Sequence, residues 1–157
     1  MSQSARIQAS LIAVWINASK RPRSSSCESW LARRRMSQGR PAEALLRAGQ
    51  ALALQPEDPD ALYNLGAFRF ALGDAVGAEA AWGLLPQRSG ALRGLAGIRQ
   101  DQNRPGEAAA LYARAITVSG RRDLEALLGL GALLATQGNP EAALPLFTEV
   151  LDRHGGH

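Results

Sequence analysis

The stretches NRPGEAAALYARAITVSG at 103–120 and GNPEAALPLFTEVLDRHG at 138–155 are written to one design. Each opens with Gly or Asn, crosses a short polar turn holding a Pro, and enters an Ala-rich run with apolar residues at helical spacing. Two earlier stretches repeat the design, GRPAEALLRAGQALALQPEDP at 39–59 and GDAVGAEAAWGLLP at 73–86. Three markers keep step through all four. The turn residue recurs at Gly39, Gly73, Asn103 and Gly138, and the small residue opening the buried face at Ala44, Ala78, Ala108 and Ala143. A Leu ahead of the turn recurs at Leu31, Leu65, Leu95 and Leu130. Every series advances by 34, 30 and 35 residues, so the chain reads as four tandem units.

Each unit reads as two helices. Gly or Asn just past a helix takes the left-handed conformation that ends it, and Pro suits the first turn of the next because its missing N–H would be unpaired there. Gly39–Pro41, Asn103–Pro105 and Gly138–Pro140 follow that grammar, while Gly73 leads into Asp74, a helix N-cap. The spacing predicts first helices near 26–38, 59–72, 89–102 and 123–137, and second helices near 41–54, 75–85, 105–119 and 140–153. Leu144, Phe147, Val150 and Leu151 fall on what reads as the buried face of the last one. No segment alternates like a strand, so the expected fold class is all-α.

These units resemble the tetratricopeptide repeats. The match is carried by Leu31-Ala32, Gly39, Ala44, Ala51 and Pro56 in the first unit and by Leu65-Gly66, Gly73, Ala78 and Trp82 in the second. In the third it is carried by Leu95-Ala96, Asn103, Ala108, Tyr112 and Ala115, and in the fourth by Leu130-Gly131, Gly138, Ala143 and Phe147. The resemblance implies a right-handed α-solenoid with a concave groove, made of units near 25–58, 59–88, 89–123 and 124–157 behind a leader, 1–24. There are departures. The family's large aromatic early in the first helix gives way to Glu28, Leu62, Leu92 and Leu127; its later Tyr is missing, with Arg35 and Arg69 as examples. Pro closes a unit only at Pro56. The second unit is one helical turn short at its second helix, which keeps the buried face in phase; a local change of pitch is expected there, with the stack unbroken.

The resemblance also implies that ligands lie against the first helices. Carried over residue by residue, the groove takes Ser29, Arg33 and Met36 from the first unit and Asp60, Tyr63, Asn64, Ala67 and Phe70 from the second. The third supplies Arg93, Gly94, Gly97 and Gln100, and the fourth Glu125, Leu128, Gly129 and Ala132. The family's clamp for a chaperone's C-terminal carboxylate calls for Lys, Asn and Arg at five places, and Asn64 alone matches. The residues expected to meet a partner are Arg33, Tyr63, Asn64, Phe70, Arg93, Gln100 and Leu128, over a floor of Gly and Ala that lets another backbone come close. Arg93 is the group expected to pair with an acidic residue of a bound peptide. Phe70 and Leu128 as partial core, with Arg93 merely solvated, is the competing expectation.

Composition narrows the remaining classes. The 157 residues carry 18 basic and 14 acidic side chains, a net charge of +4. The surplus sits at one end: residues 1–40 balance to +7 with Glu28 as their one acid, and residues 41–157 balance to −3. Nucleic acid is therefore not an expected partner of the repeats. Arg33-Arg34-Arg35 cannot form one flat stripe, because successive helix residues point about 100° apart, and no aromatic platform accompanies them. Cys27 stands without a nearby His and reads as an uninvolved thiol. His154 and His157 flank Gly155-Gly156 and read as a frayed end. Glu43, Glu107 and Glu141 stand at second-helix starts, where they favour the helix dipole. No nucleophile elbow, HExxH or phosphate loop occurs; catalytic residues, metal and cofactor are all expected to be absent.

The leader contains the apolar run IQASLIAVWINA at 7–18, closed by Lys20-Arg21. Twelve residues are short of the about 20 that span a bilayer, and the charge follows the run where a signal peptide would have it first. Ile7, Leu11, Val14, Trp15 and Ala18 share one helical face, so a helix capping the solenoid end, contact with a membrane surface, an organellar transit peptide and a stretch outside the selected protein all stay open. The expectation is a non-catalytic adaptor that binds a protein or peptide in its groove, with a docking or regulatory piece of a larger enzyme or secretion or envelope assembly as the alternative. The cytoplasm is the expected compartment, with organellar or exported targeting through 1–24 left open. An uncovered solenoid end also leaves a homodimer open.

Overall fold

A computed structural model of the chain describes residues 24–155. The expectations for the leader, and for His157, lie outside these residues. The described residues hold eight helices and no strand: α1 Ser25–Ser37, α2 Pro41–Leu54, α3 Pro59–Ala71, α4 Ala75–Gly83, α5 Ser89–Asp101, α6 Pro105–Val118, α7 Leu124–Thr136 and α8 Pro140–His154. The turn chemistry explains the boundaries. Gly39, Gly73, Asn103 and Gly138 all have φ between 55° and 84°, the left-handed region in which Gly is unstrained and Asn is tolerated. Pro41, Pro59, Pro105 and Pro140 sit at helix starts, and Asp58, Asp74, Asp123 and Asn139 accept hydrogen bonds from first-turn amides. Each such cap is worth about 1 kcal/mol.

Consecutive helices pack as antiparallel pairs and the pairs stack. First helices touch first helices (α1 with α3, α3 with α5, α5 with α7), while none of the second helices reaches another. Close first helices and splayed second helices curve the stack, which places α1, α3, α5 and α7 on the inner wall. The core is a chain of side-chain layers in register. Leu62, Leu92 and Leu127 fill the place of the family's early aromatic and are buried. Glu28 stands there in the first unit, buried as well, with Arg47 Nη1 3.3 Å from its carboxylate.

The last layer corrects one expectation. Val150 is buried, but Leu144 and Leu151 face outward. Leu151 is 68% exposed, whereas Ile116, one period earlier, is 5% exposed. Ile116 is packed with Ala126 and Leu127 of the following unit, and no described helix follows α8. The short unit behaves as the arithmetic required: α4 has nine residues, ends at Gly83 with Leu85 buried in the turn, and the stack runs on into α5.

Candidate functional site

The inner wall between α3 and α5 holds a depression of about 300 Å³ lined by Tyr63, Ala67, Phe70, Trp82, Gly90, Arg93, Gly94 and Gly97. Its geometry follows from one large side chain. Trp82, from α4, is buried and wedged between the backbones of α3 and α5: a Cβ on Gly66 or on Gly94 would overlap its indole ring. Its Nε1 donates to the Tyr63 carbonyl at 3.1 Å, which satisfies the buried N–H. The indole carries the aromatic rim, with the Phe70 ring centroid 5.8 Å away and that of Tyr63 at 6.5 Å, both tilted. Gly90 is closed by Tyr63, while the space over Gly97 is empty for 4 Å around an added Cβ. Gly97 is thus the point of the floor where another main chain can come closest.

Tyr63, Phe70 and Arg93 are brought together as the sequence predicted, along with Ala67, Gly94 and Gly97. Phe70 and Leu128 are 39% and 42% exposed, so each is partly covered and presents the rest of its surface to solvent. Three other placements differ from the expectation. Asn64 is buried and its Nδ2 donates to the Ser29 carbonyl at 3.5 Å, so it fills the seam between α1 and α3. Arg33 is exposed beside Trp30, Arg34 and Ser37, apart from the depression. Gln100 is exposed and accepts a 2.7 Å hydrogen bond from the Tyr112 hydroxyl; burial pushes that phenol's pKa up, which keeps it a donor.

Arg93 is placed on the wall but already paired. Its Nη1 lies 2.7 Å from Asp123 Oδ1 and 2.7 Å from Glu125 Oε2, both offered by the start of α7. Asp123 also caps α7 through the Ala126 amide at 3.0 Å, so the guanidinium ties the third unit to the fourth. Arg88 is engaged in the same way on the other flank, 2.8 Å from Asp60 and with its guanidinium 4.5 Å from the Tyr63 ring centroid. Away from the wall, Arg99 joins Glu79 and Glu107, and its hydrogen bond holds the Glu79 carboxyl below the usual range. Among the described residues no cluster of three His, Cys, Asp or Glu could hold a metal, and no helix is long and apolar enough to cross a membrane.

Trp82 is the site residue that the residue-by-residue carry-over missed, because it comes from a second helix. Its signal was present: Trp82, Tyr112 and Phe147 advance by 30 and 35 residues, and each faces a glycine. A Cβ on Gly129 would come within 2.5 Å of the Tyr112 ring, and one on Gly131 within 2.7 Å of the Phe147 ring.

The Tetratricopeptide repeat profile matches residues 31–91 and 93–157. No curated protein sequence matches the chain. Among solved structures, Pseudomonas aeruginosa PilF aligns at TM-score 0.76 and 18% identity over 99% of this chain and 72% of its own. PilW, described as a type IV pilus biogenesis factor, aligns at TM-score 0.70 and 21% identity over 88% and 66%. The first repeat domain of Spaghetti (RPAP3), bound to the HSP90 peptide SRMEEVD, aligns at TM-score 0.65 and 17% identity over 75% and 96%. At these identities the likeness is one of fold. The helix pairs, the aromatic-into-glycine layers and the two matched spans together make this chain a member of the tetratricopeptide repeat family.

Proposed function

We propose that the chain is a non-catalytic adaptor that holds a peptide or helix of another protein against the wall between α3 and α5. The depression at Tyr63, Phe70 and Trp82 carries this reading: it is apolar, rimmed by aromatic side chains, and floored at Gly97 by bare backbone. Aromatic anchors around a close-approach floor are what a docked segment needs for affinity. The RPAP3 domain holds a peptide in a related fold, which supports the class of ligand. In this reading the aromatic rim is the anchor, and Arg93, which already bridges two carboxylates, is secondary.

A photo-crosslinking side chain placed at Ala67, with a control at the exposed Ala80 of α4, tests the site in the native cell. The reading expects adducts to one defined segment from Ala67, lost when Tyr63→Ala and Phe70→Ala are added. Adducts from Ala80 with none from Ala67 would remove it. Likeness to PilF and PilW favours a second reading, in which the adaptor is one piece of a larger envelope assembly. The two positions together separate the readings, because an assembly subunit would return the same neighbour from Ala80 as from Ala67, and a groove adaptor its partner from Ala67 alone.

A further inference from the structure

The charges around the depression are unevenly presented. Its two guanidiniums are turned down onto the wall: Arg88 lies over Tyr63 and on Asp60, and Arg93 bridges Asp123 and Glu125. Their side chains are 35% and 27% exposed, against 69% for Asp60 and 73% for Glu125. Both carboxylates occupy one register position, second in their helices, on α3 and α7. Gly90 stands at that register between them on α5. A ligand seated between Tyr63 and Arg93 therefore meets an open carboxylate on each flank and no free cation between them.

From this we infer that the wall selects a segment with basic side chains on both sides of an apolar anchor, and discriminates against acidic segments. The inference rests on the reading of the wall as the docking site. An acidic ligand would find Arg93 only through the guanidinium N–H groups that Asp123 and Glu125 leave over, and would add a third carboxylate beside two. A Lys or Arg meets Glu125 and Asp60 without displacing either guanidinium, because a carboxylate accepts more than one donor. The RPAP3 structure holds SRMEEVD, a peptide with three acidic residues to one basic. On this wall, each cation that could receive such a charge already faces a carboxylate.

Three synthetic twelve-residue peptides share one Trp anchor and the same apolar residues, with Lys, Gln or Glu at the flanking positions. Fluorescence anisotropy on the full chain ranks them. The Lys peptide should bind about five- to tenfold tighter than the Gln peptide, as two exposed ion pairs allow, with the Glu peptide weakest. The preference should fall with added salt and disappear in Asp60→Asn with Glu125→Gln, while Tyr63→Ala weakens all three together. Equal binding of the three peptides, tighter binding of the Glu peptide, or a Lys preference that survives the double variant would overturn the selectivity and leave the docking site standing. No binding by any peptide, or binding untouched by Tyr63→Ala, would remove the site and the selectivity with it.

Discussion

The first and second inter-unit seams use one backbone plan with opposite side-chain solutions. Between the second and third units a large knob, Trp82, enters sockets made by Gly66 and Gly94. Between the first and second, the same register holds Ala48 in place of the knob and Asn64 in place of the second glycine. Around that position the first seam is closed by buried Asn64 on the Ser29 carbonyl, by Phe68, and by the Glu28–Arg47 pair. Both seams are buried, but by different chemistry. The difference has a functional consequence. The glycine sockets strip side chains from the inner face of α5 and open a depression there, whereas the first seam is filled with polar groups.

Removing the knob should give the largest effect. Trp82→Ala is expected to cost about 3–5 kcal/mol by calorimetry or urea unfolding, with the two halves of the stack losing cooperativity. A cost no larger than that of Ala48→Gly, about 1 kcal/mol, would mean that the two seams are equivalent after all. Filling a socket comes next. Gly94→Ala forces a Cβ into the indole and should cost about 1–3 kcal/mol. Three residues on, Gly97→Ala meets open space and should be neutral or stabilise by up to about 1 kcal/mol through helix propensity, yet weaken peptide binding. Opposite signs at two glycines of one helix would sharpen the distinction between socket and floor.

In the first seam, Glu28→Gln should cost about 1 kcal/mol, since Arg47 remains part-exposed and can turn to water. A cost approaching that of Trp82→Ala would reverse the ranking of the seams. The smallest effect is on pH. Hydrogen bonds from Arg99 and Arg121 lower the pKa of Glu79 and Glu149. Depressed carboxyls contribute stability above their unfolded pKa, near 4.3, and lose it as pH falls through the folded value. The melting temperature should therefore hold from pH 7 to about 5 and decline below about 4. Glu79→Gln should flatten that decline slightly, because the pair is only part-buried and water still screens it; an unchanged profile would assign the loss to other carboxylates.

Much of the fold was legible because turns are written locally. Gly39, Gly73, Asn103 and Gly138 needed only their own φ to end a helix, and the Pro that follows three of them needed only its missing N–H. Helix ends came within two residues of their expected places for the same reason. The wall was partly legible: Tyr63, Phe70 and Arg93 converge because register fixes which side of a first helix a residue occupies. What register does not state is pairing. In sequence Arg93 reads as open because Asp123 and Glu125 lie 30 and 32 residues away, and their approach depends on the stacking of α5 on α7. Asn64 reads in sequence as a groove residue because its neighbour is a main-chain carbonyl on another helix, which leaves no mark in side-chain spacing. Leu144 and Leu151 have the spacing of a buried face, but burial also requires a neighbouring unit.

Where a ligand touches the chain decides most directly whether the wall between α3 and α5 is a docking site. Titrating isotopically labelled full-length protein with the Lys-flanked Trp peptide, and following amide shifts by NMR, locates that contact. Shifts concentrated at Tyr63, Ala67, Gly90, Gly97 and the Trp82 indole N–H, fading along α8, are the predicted result. Shifts concentrated on Leu144, Leu151 and their neighbours, with the inner wall of α5 silent, would contradict it.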